Sequence, residues 1–492
     1  MKKISVSLII TILTIGLTSY GQVQIGNDID GEAAGDNSGY STALSSDGSI
    51  VAIGAPFNEG NGSAAGHIRV FENISGTWSQ IGSDIDAASF GDQTGQSVSL
   101  SSDGSIVAFG EPINEENGSI SGQVRVFENV SGIWTQVGGD INGDSFNYQT
   151  GGSVDLSSDG SILAVGSRGA TVPGVGFFTG SARVYENLGG TWTQIGSDIE
   201  GEAENDFFGV SLSLASDSSV VAIGALGDIF NSDTGYVNVY QNIAGVWTQI
   251  GNSIKGTAPA GEFGGSVSIS SNGSIVAIGG RLESAEGIVR VFENIGGLWT
   301  QMGSDLIGDA SGDQFGSSVS LSGDGSKLAV GARRNDGSAV DAGRTYIYEN
   351  LGGSWVNVLS SIDGEAAGDQ SGFSVSLSSD ASTLAIGAVQ NDANGLESGH
   401  VRVYDLSPSV SINEVNLDGA TINLTPNPVN NHLEIRLDGN TILRKVSIYN
   451  NSGQLLLTSK ETLINVSKLG SGLYTVVIES NNGIRSIKII KL

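Results

Sequence analysis

The chain has no cysteine. Disulfides, thiolate metal sites and cysteine nucleophiles are therefore excluded, and the fold must hold by strand pairing and packing alone. Acylation of a lipoprotein cysteine is excluded on the same ground. Histidine is almost missing: His67, His400 and His432 are the only three, and they stand in settings that look unrelated. No Gly-x-Ser-x-Gly nucleophile elbow occurs. Basic residues are scarce, with 22 Lys/Arg against 52 Asp/Glu and a formal charge of −30. Such a surface repels nucleic acid and anionic lipid. Long apolar runs are missing too, apart from Ile4–Leu17, so no later segment is expected to span a bilayer.

What the chain has in quantity is a repeat. Trp78, Trp134, Trp192, Trp247, Trp299 and Trp355 recur at steps of 56, 58, 55, 52 and 56 residues. A second anchor is the glycine before each serine-rich run: Gly39, Gly95, Gly151, Gly209, Gly264, Gly316 and Gly372. These mark seven copies. Each copy holds four short alternating or β-branched runs, which read as strands. In the first copy they are Tyr40–Ser45, Ile50–Gly54, His67–Glu72 and Thr77–Gly82. Asp47-Gly48 joins the first pair and suggests a two-residue hairpin turn with positive φ at both positions. Asn73-Ile-Ser-Gly76 joins the second pair.

Seven four-stranded units at this period predict an all-β, seven-bladed β-propeller, because a lone four-stranded sheet buries too little apolar surface. Ser, Gly and Ala in the first two strands suit crowding around an axis. The last copy has strands at Phe373–Ser378, Thr383–Gly387 and His400–Tyr404 but no Trp strand. Val23–Ile29, at the other end of the chain, matches the missing strand and is expected to complete the seventh blade, which removes the free edges. An open solenoid is the second choice.

Three features carry a likeness: Phe208-Gly209, Phe263-Gly264 and Phe315-Gly316; Ile53-Gly-Ala-Pro56; and strands such as Gly122-Gln-Val-Arg-Val-Phe127. At these residues the array resembles bacterial FG-GAP repeats, relatives of the integrin α-chain propeller. Metal-binding members carry Asp-x-Asp-x-Asp-Gly between the first two strands. Here that place reads Ser-Leu-Ser-Ser-Asp-Gly, so that calcium site is not carried over.

Met1-Lys-Lys, the apolar Ile4–Leu17 and Thr18-Ser-Tyr-Gly21 predict a secretory signal peptide over 1–21. The propeller is expected over 22–406, a linker over 407–423, and a small C-terminal β-sandwich over 424–492. Charge changes at that boundary: residues 22–407 hold 12 Lys/Arg against 46 Asp/Glu, and residues 408–492 hold eight against six. The tail carries Pro426-Asn427-Pro428, Tyr449 with Ser452-Gly453, Gly472-Leu-Tyr474, and a basic final strand with Lys488 and Lys491. It resembles the C-terminal sorting domain of the type IX secretion system. The resemblance implies that this machinery is a partner, and that the destination is the medium or the outer surface of a Gram-negative bacterium.

The loops between second and third strands vary most, and binding normally resides on variable loops of a rigid scaffold. The links between copies share their face and are acidic. Asp28, Asp30, Glu32 and Asp36 stand at offsets 1, 3, 5 and 9, which Asp198, Glu200, Glu202 and Asp206 repeat. That spacing is chemically suited to calcium, which takes several oxygen ligands. The alternative is a set of polar turns whose carboxylates act as caps. The Trp series reads as packing between blades rather than a sugar-stacking ring. Arg69, Arg125, Arg183, Arg290 and Arg402 read as partners of local carboxylates.

The expected function is a secreted or cell-surface binding or adhesion module for an extracellular protein or glycan, and not an enzyme. A carbohydrate-binding propeller or glycan hydrolase is one alternative, since paired carboxylates are plentiful. A purely structural surface protein is another.

Overall fold

A computed structural model describes residues 22–228, 233–407, 422–425, 429–437, 442–450, 455–470, 472–480 and 483–491. The expected signal peptide, most of the linker, Pro426, Asn427, Pro428 and Gly453 lie outside the described residues. Two compact units are present, one up to residue 407 and one from residue 422.

The first unit is seven antiparallel sheets. Blade 1 comprises Ser41–Leu44, Ile50–Ala55, His67–Ile74 and Thr77–Gln80, ordered from the innermost strand outward. The chain then bends and adds Ile85–Asp86 to the same third strand, beyond the bend. Blades 2 to 6 repeat the plan. Blade 7 is built from both ends of the unit. Ser371–Leu377, Thr383–Ala388 and His400–Asp405 supply three strands, and Val23–Gln24 supplies the fourth. Val23 pairs with Asp405 and Gln24 with Tyr404, and Ile29–Asp30 returns to pair with Val401 and His400. The predicted closure by the N-terminal strand is the observed one.

Alternation along each strand puts apolar residues between blades. Ile29, Val401 and Val403 of blade 7 pack with Val51, Ile53 and Phe71 of blade 1. Ala52, Ile68, Val70 and Ile85 of blade 1 pack with Leu100, Val107 and Phe109 of blade 2. Phe208, Phe263 and Phe315, the aromatic residues of the Phe-Gly pairs, are wholly buried in such layers. Each core is therefore shared by two neighbours, and a blade on its own has none.

One polar contact repeats at every junction. A serine on the innermost strand donates to the carbonyl of the anchor glycine in the next blade. Ser41 reaches Gly95, Ser97 reaches Gly151, Ser153 reaches Gly209 and Ser211 reaches Gly264, at 2.7–2.9 Å. Ser266 reaches Gly316, Ser318 reaches Gly372, and Ser374 of blade 7 reaches Gly39 of blade 1, at 2.7–2.9 Å. The same carbonyl lies against a second glycine, the one in Ile-Gly-Ala. A Cβ at Gly54 would collide with Gly95 O, and one at Gly387 would collide with Gly39 O. The two glycines of the repeat are thus required as a pair, because backbones of adjacent blades touch there.

Two more series of contacts follow the blades around the axis. Ser46 N donates to Ser102 O, Ser102 to Ser158, Ser158 to Ser216, Ser216 to Ser271, Ser271 to Gly323, and Gly323 to Ser379. At the rim, the indole N–H of Trp78, Trp134, Trp192, Trp247 and Trp299 donates to a carbonyl of the preceding blade at 2.8–3.1 Å. The tryptophans join blades, as their outer position suggested.

The Asp-Gly turns differ from expectation. Only the glycine has positive φ, +70° at Gly48, and Gly48 N donates to Ser45 O at 2.9 Å. The loop is longer than two residues: Ser45 and Ile50 close it, and Asp47 sits inside it. Asp47 Oδ1 accepts from Ser45 Oγ, Ser49 N and Ser49 Oγ. Those hydrogen bonds hold the Asp47 carboxyl below its usual range. The serines flanking Asp-Gly select this wider turn, since the aspartate finds its partners within the loop.

The second unit has a three-stranded sheet, Ile422–Thr425, His432–Leu437 and Leu463–Asn465, and a four-stranded sheet. The latter is ordered Leu455–Ser459, Leu443–Tyr449, Gly472–Ser480 and Gly483–Lys491. Val429, Leu433, Ile435, Val446, Ile448, Val476 and Ile489 are among the residues that fill its core. This is the small sandwich the tail's alternation predicted.

Removing residues 22–30 should leave His400–Asp405 as an open edge and uncover Val401 and Val403. We expect such a chain to lose its single cooperative melt and to bind an apolar dye; an unchanged melt would refute closure by this strand. Ser374→Ala should cost about 1 kcal/mol, one half-buried hydrogen bond, and Gly387→Ala should cost more, because the methyl meets backbone.

Candidate functional site

The long loops and the acidic links lie on one face, where each third strand begins. The links are built alike. The carboxylate at the ninth offset is a cap. Asp36 Oδ2 accepts from Glu32 N and Ala33 N at 3.1 and 2.9 Å, and from Asn58 Nδ2 at 3.1 Å. Asp206 accepts from Glu202 N, Ala203 N and Tyr236 Oη. Asp92, Asp313 and Asp369 cap their own links in the same way. Burial, opposed by these bonds, still pushes the Asp206 carboxyl above its usual range.

The other carboxylates of a link do not converge on that cap. Asp28 and Asp30 face His400 of blade 7, and Glu32 faces His67 and Arg69 of blade 1. Asp198 meets Arg183 in blade 3. Glu200 pairs through its backbone with Ser181. Glu202 accepts from Asn238 and Ser253 beside blade 4. One link therefore serves two blades, and its four carboxylates do not surround one point.

Arginine accounts for much of the remaining charge. Arg183 joins Asp144 to Asp198. Burial would raise Asp198, but the hydrogen bonds from Arg183 and Gln194 outweigh it and hold the carboxyl low. Arg290 meets Glu283 and Asp305, and Arg125 meets Glu111. Arg69, Arg125 and Arg402 each donate Nη2 to a backbone carbonyl of the preceding blade, Asp30, Asp86 and Asp363. Around Glu32 the balance stays negative, and burial, with Asp84 nearby, raises its carboxyl.

His67 and His400 are not unrelated. Each is the first residue of a third strand, two before the recurring arginine, in adjacent blades 1 and 7. The shared pattern His-x-Arg was the available signal. Both rings are buried, and burial with the neighbouring arginine drives His67 down to about 4.

Large apolar side chains stand out on the same face. Phe90, Phe146 and Phe177 are 78%, 65% and 66% exposed. They mark three successive junctions, 1/2, 2/3 and 3/4. Phe90 and Phe146 hold one register in their links, above Gly62 and Gly118 of the adjoining loops. Beside Phe90 lies a cleft of about 630 Å³, lined by Asp92, Ile113, Glu115, Glu116 and Asp140.

The opposite end of the axis is a narrow mouth ringed by Ser46, Ser102, Ser158, Ser216, Ser271 and Ser379, with Asp155 inside. Asp155 replaces the serine that other blades use to accept the next blade's N–H. Leu377 N donates to Ser320, for instance, and Leu214 N to Asp155 Oδ2 at 2.7 Å. Asp155 keeps a strip of surface on the channel. Protein surrounds it otherwise, and burial pushes its carboxyl up to about 6 against hydrogen bonds from Leu214 N and Ser99 Oγ.

In the second unit, Tyr474 is buried and donates to Gly470 O at 2.8 Å, Gly472 has φ +155°, Lys488 is exposed and Lys491 is buried.

The class is thus a closed seven-bladed propeller with a β-sandwich tail. The FG-GAP repeat family matches residues 308–348 and 356–404, and the secretion system C-terminal sorting domain matches residues 423–492. The chain thus carries FG-GAP repeats within a seven-bladed propeller and a C-terminal type IX secretion sorting domain. No curated protein matches it. Among solved structures it is similar to a periplasmic gluconolactonase of Pseudomonas aeruginosa, at 16% identity over 66% of this chain and 86% of that one, TM-score 0.45. It is also similar to U3-55K, at 12% identity over 78% and 98%, TM-score 0.44. At these TM-scores neither likeness bears on what the chain does.

Asp155 has its carboxyl raised in the fold, so its contribution to stability is complete below about pH 4 and is lost as pH rises through about 6. Asp155→Ser, which restores the repeat's own acceptor, should gain up to about 3 kcal/mol over the parent at pH 7.5 and almost nothing at about pH 3. Paired thermal melts across that range measure it; a gain independent of pH would contradict the assignment.

Proposed function

We propose that the protein is a binding or adhesion module displayed at the surface of a Gram-negative cell or released from it, and that it engages an extracellular protein or glycan through its long-loop face. The observation that carries this reading is the run of Phe90, Phe146 and Phe177 at successive junctions, set among carboxylates. Exposed aromatic groups rimmed by charge mark interaction surfaces, because covering them recovers apolar area that monomers normally hide. A phenyl ring also offers a flat face to a sugar, so a glycan partner suits the same patch. In this reading the propeller performs no chemistry of its own: the ninth-offset carboxylates are engaged as caps, and Glu111, Asp198 and Asp305 with arginine. The sorting tail supports the address, since it directs export across the outer membrane.

The Phe90→Ser, Phe146→Ser, Phe177→Ser triple variant should keep the parent's melting temperature and lose retention on surface glycans or proteins that the parent captures. Retention by the triple variant would remove this face from consideration. Deleting residues 424–492 should leave a folded propeller that stays in the periplasm, measured by fractionation; export of the shortened chain would show that the tail is dispensable.

A further inference from the structure

Two junctions of the ring carry a chemistry that the others lack. In blade 7, His400 is 0% exposed, and neither Nδ1 nor Nε2 has a hydrogen-bond partner among the described residues. Its Nδ1 lies 3.6 Å from Asp28 Oδ2 and 4.0 Å from Asp30 Oδ1. Asp30 Oδ1 is itself buried and unpartnered. One oxygen of Glu365, from the preceding link, joins His400 and Asp28 within 4.8 Å. Blade 1 repeats the set one junction on. His67 Nδ1 lies 3.8 Å from Asp84 Oδ2 and 4.0 Å from Glu32 Oε2, and His67 Nε2 is buried without a partner.

Leaving such groups unsatisfied is costly, because each loses its hydrogen bonds to water and gains none in the fold. The separations are too long for a hydrogen bond. They are close to the spacing of donors around a shared ion, about 3.4 Å for a tetrahedron with bonds of ~2.1 Å. Glutamine orients one carboxylate in each set: Gln24 donates to Asp28 Oδ1 and Gln80 to Asp84 Oδ1, both at 2.6 Å, which leaves Oδ2 turned to the imidazole.

Other blades show what the position requires. In blade 3 the equivalent carboxylates are Asp144 and Asp198, and the Arg183 guanidinium bridges them. In blade 6, Arg344 stands in the histidine's own register and joins Asp309 to Asp363. In blades 7 and 1 the arginine is drawn aside. Arg402 and Arg69 donate Nη2 to backbone carbonyls, their Nε atoms are buried without partners, and their Nη1 atoms stay 3.6 and 3.9 Å from Glu365 and Glu32. Asp28 and Asp84 then face an imidazole, and the arginine stays within ion-pair distance of Glu365 and Glu32 alone.

We propose that these are two binding sites for a divalent first-row transition ion of the zinc type, one held by His400, Asp28 and Glu365 with Asp30 beside them, the other by His67, Asp84 and Glu32. An imidazole nitrogen with carboxylate oxygens selects such ions over calcium and magnesium, which prefer oxygen alone. Both sites draw ligands from two links, so the ion clamps the blades on either side of the closing junction. Access is open: Glu365 and Glu32 are exposed, and a cleft of about 420 Å³ lined by Asp28, Asp30, Arg69 and Trp78 lies beside them.

The test is calorimetric titration of the chelator-stripped chain with Zn²⁺, alongside thermal melts with and without the ion. The parent should bind two ions and melt higher when loaded. His67→Gln and His400→Gln should each lose one site, and the double variant should lose both, while His432 stays in place throughout. Asp28→Asn and Asp84→Asn, changes at partly exposed positions with no loss of volume, should keep the metal-free melt and weaken their own site about tenfold or more. X-ray absorption of the loaded chain should show imidazole among the ligands. Absence of saturable zinc binding, zinc binding unchanged in the double histidine variant, or calcium binding with equal strength would each overturn the proposal.

Discussion

A serine hydroxyl donated to a glycine carbonyl in the next blade holds this ring together. It occurs at all seven junctions, and each time the carbonyl also lies against a glycine of the donor's blade. The contact demands three small groups in register: a serine, an acceptor glycine and a glycine with no side chain to intrude. It brings inner strands closer than any larger residue would allow. Apolar layers further out, from Phe208 to Val403, pack because the wedge angle has been set near the axis. The seventh contact, Ser374 to Gly39, spans the two ends of the propeller, so the ring closes by the same chemistry that spaces it.

With the frame fixed in this way, the face is free to differ from blade to blade. The ninth-offset aspartates of five links do one job, capping a turn, and they keep the loops in place. The other carboxylates vary in partner. Blades 3 and 6 set a guanidinium among them, blade 4 uses Asn238 and Ser253, and blades 7 and 1 set an imidazole there. Phenyl rings occupy a separate sector, at junctions 1/2 to 3/4. A propeller tolerates such variety because loop residues do not take part in the contacts that set the angle between blades.

Much of this was readable in the chain. The period, the Trp steps and the anchor glycines give seven blades. The surplus strand at Val23 and the missing one after Tyr404 give the closure. The capping role of Asp36 and Asp206 was one of two readings of their spacing, and calcium the other. Spacing along a link could not decide between them, because Asp28 and Glu32 point to different blades. His67 and His400 were set apart for the same reason: they are 333 residues apart in the chain and adjacent in the ring. Asp155 was hidden among serines, since nothing local tells a strand residue that it faces the channel.

The β class, the number of blades, the closing strand and the sorting tail follow from the order of the amino acids alone. Each of these follows from local alternation and from repetition, which are properties of residues near one another in the chain. Which carboxylates share a neighbour, which histidines lose their hydrogen bonds, and which phenyl rings stand in the open emerge only once the ring is assembled. Those are outcomes of joining one blade's link to the next blade's third strand. That join is a matter of geometry around an axis, and a linear pattern does not encode it.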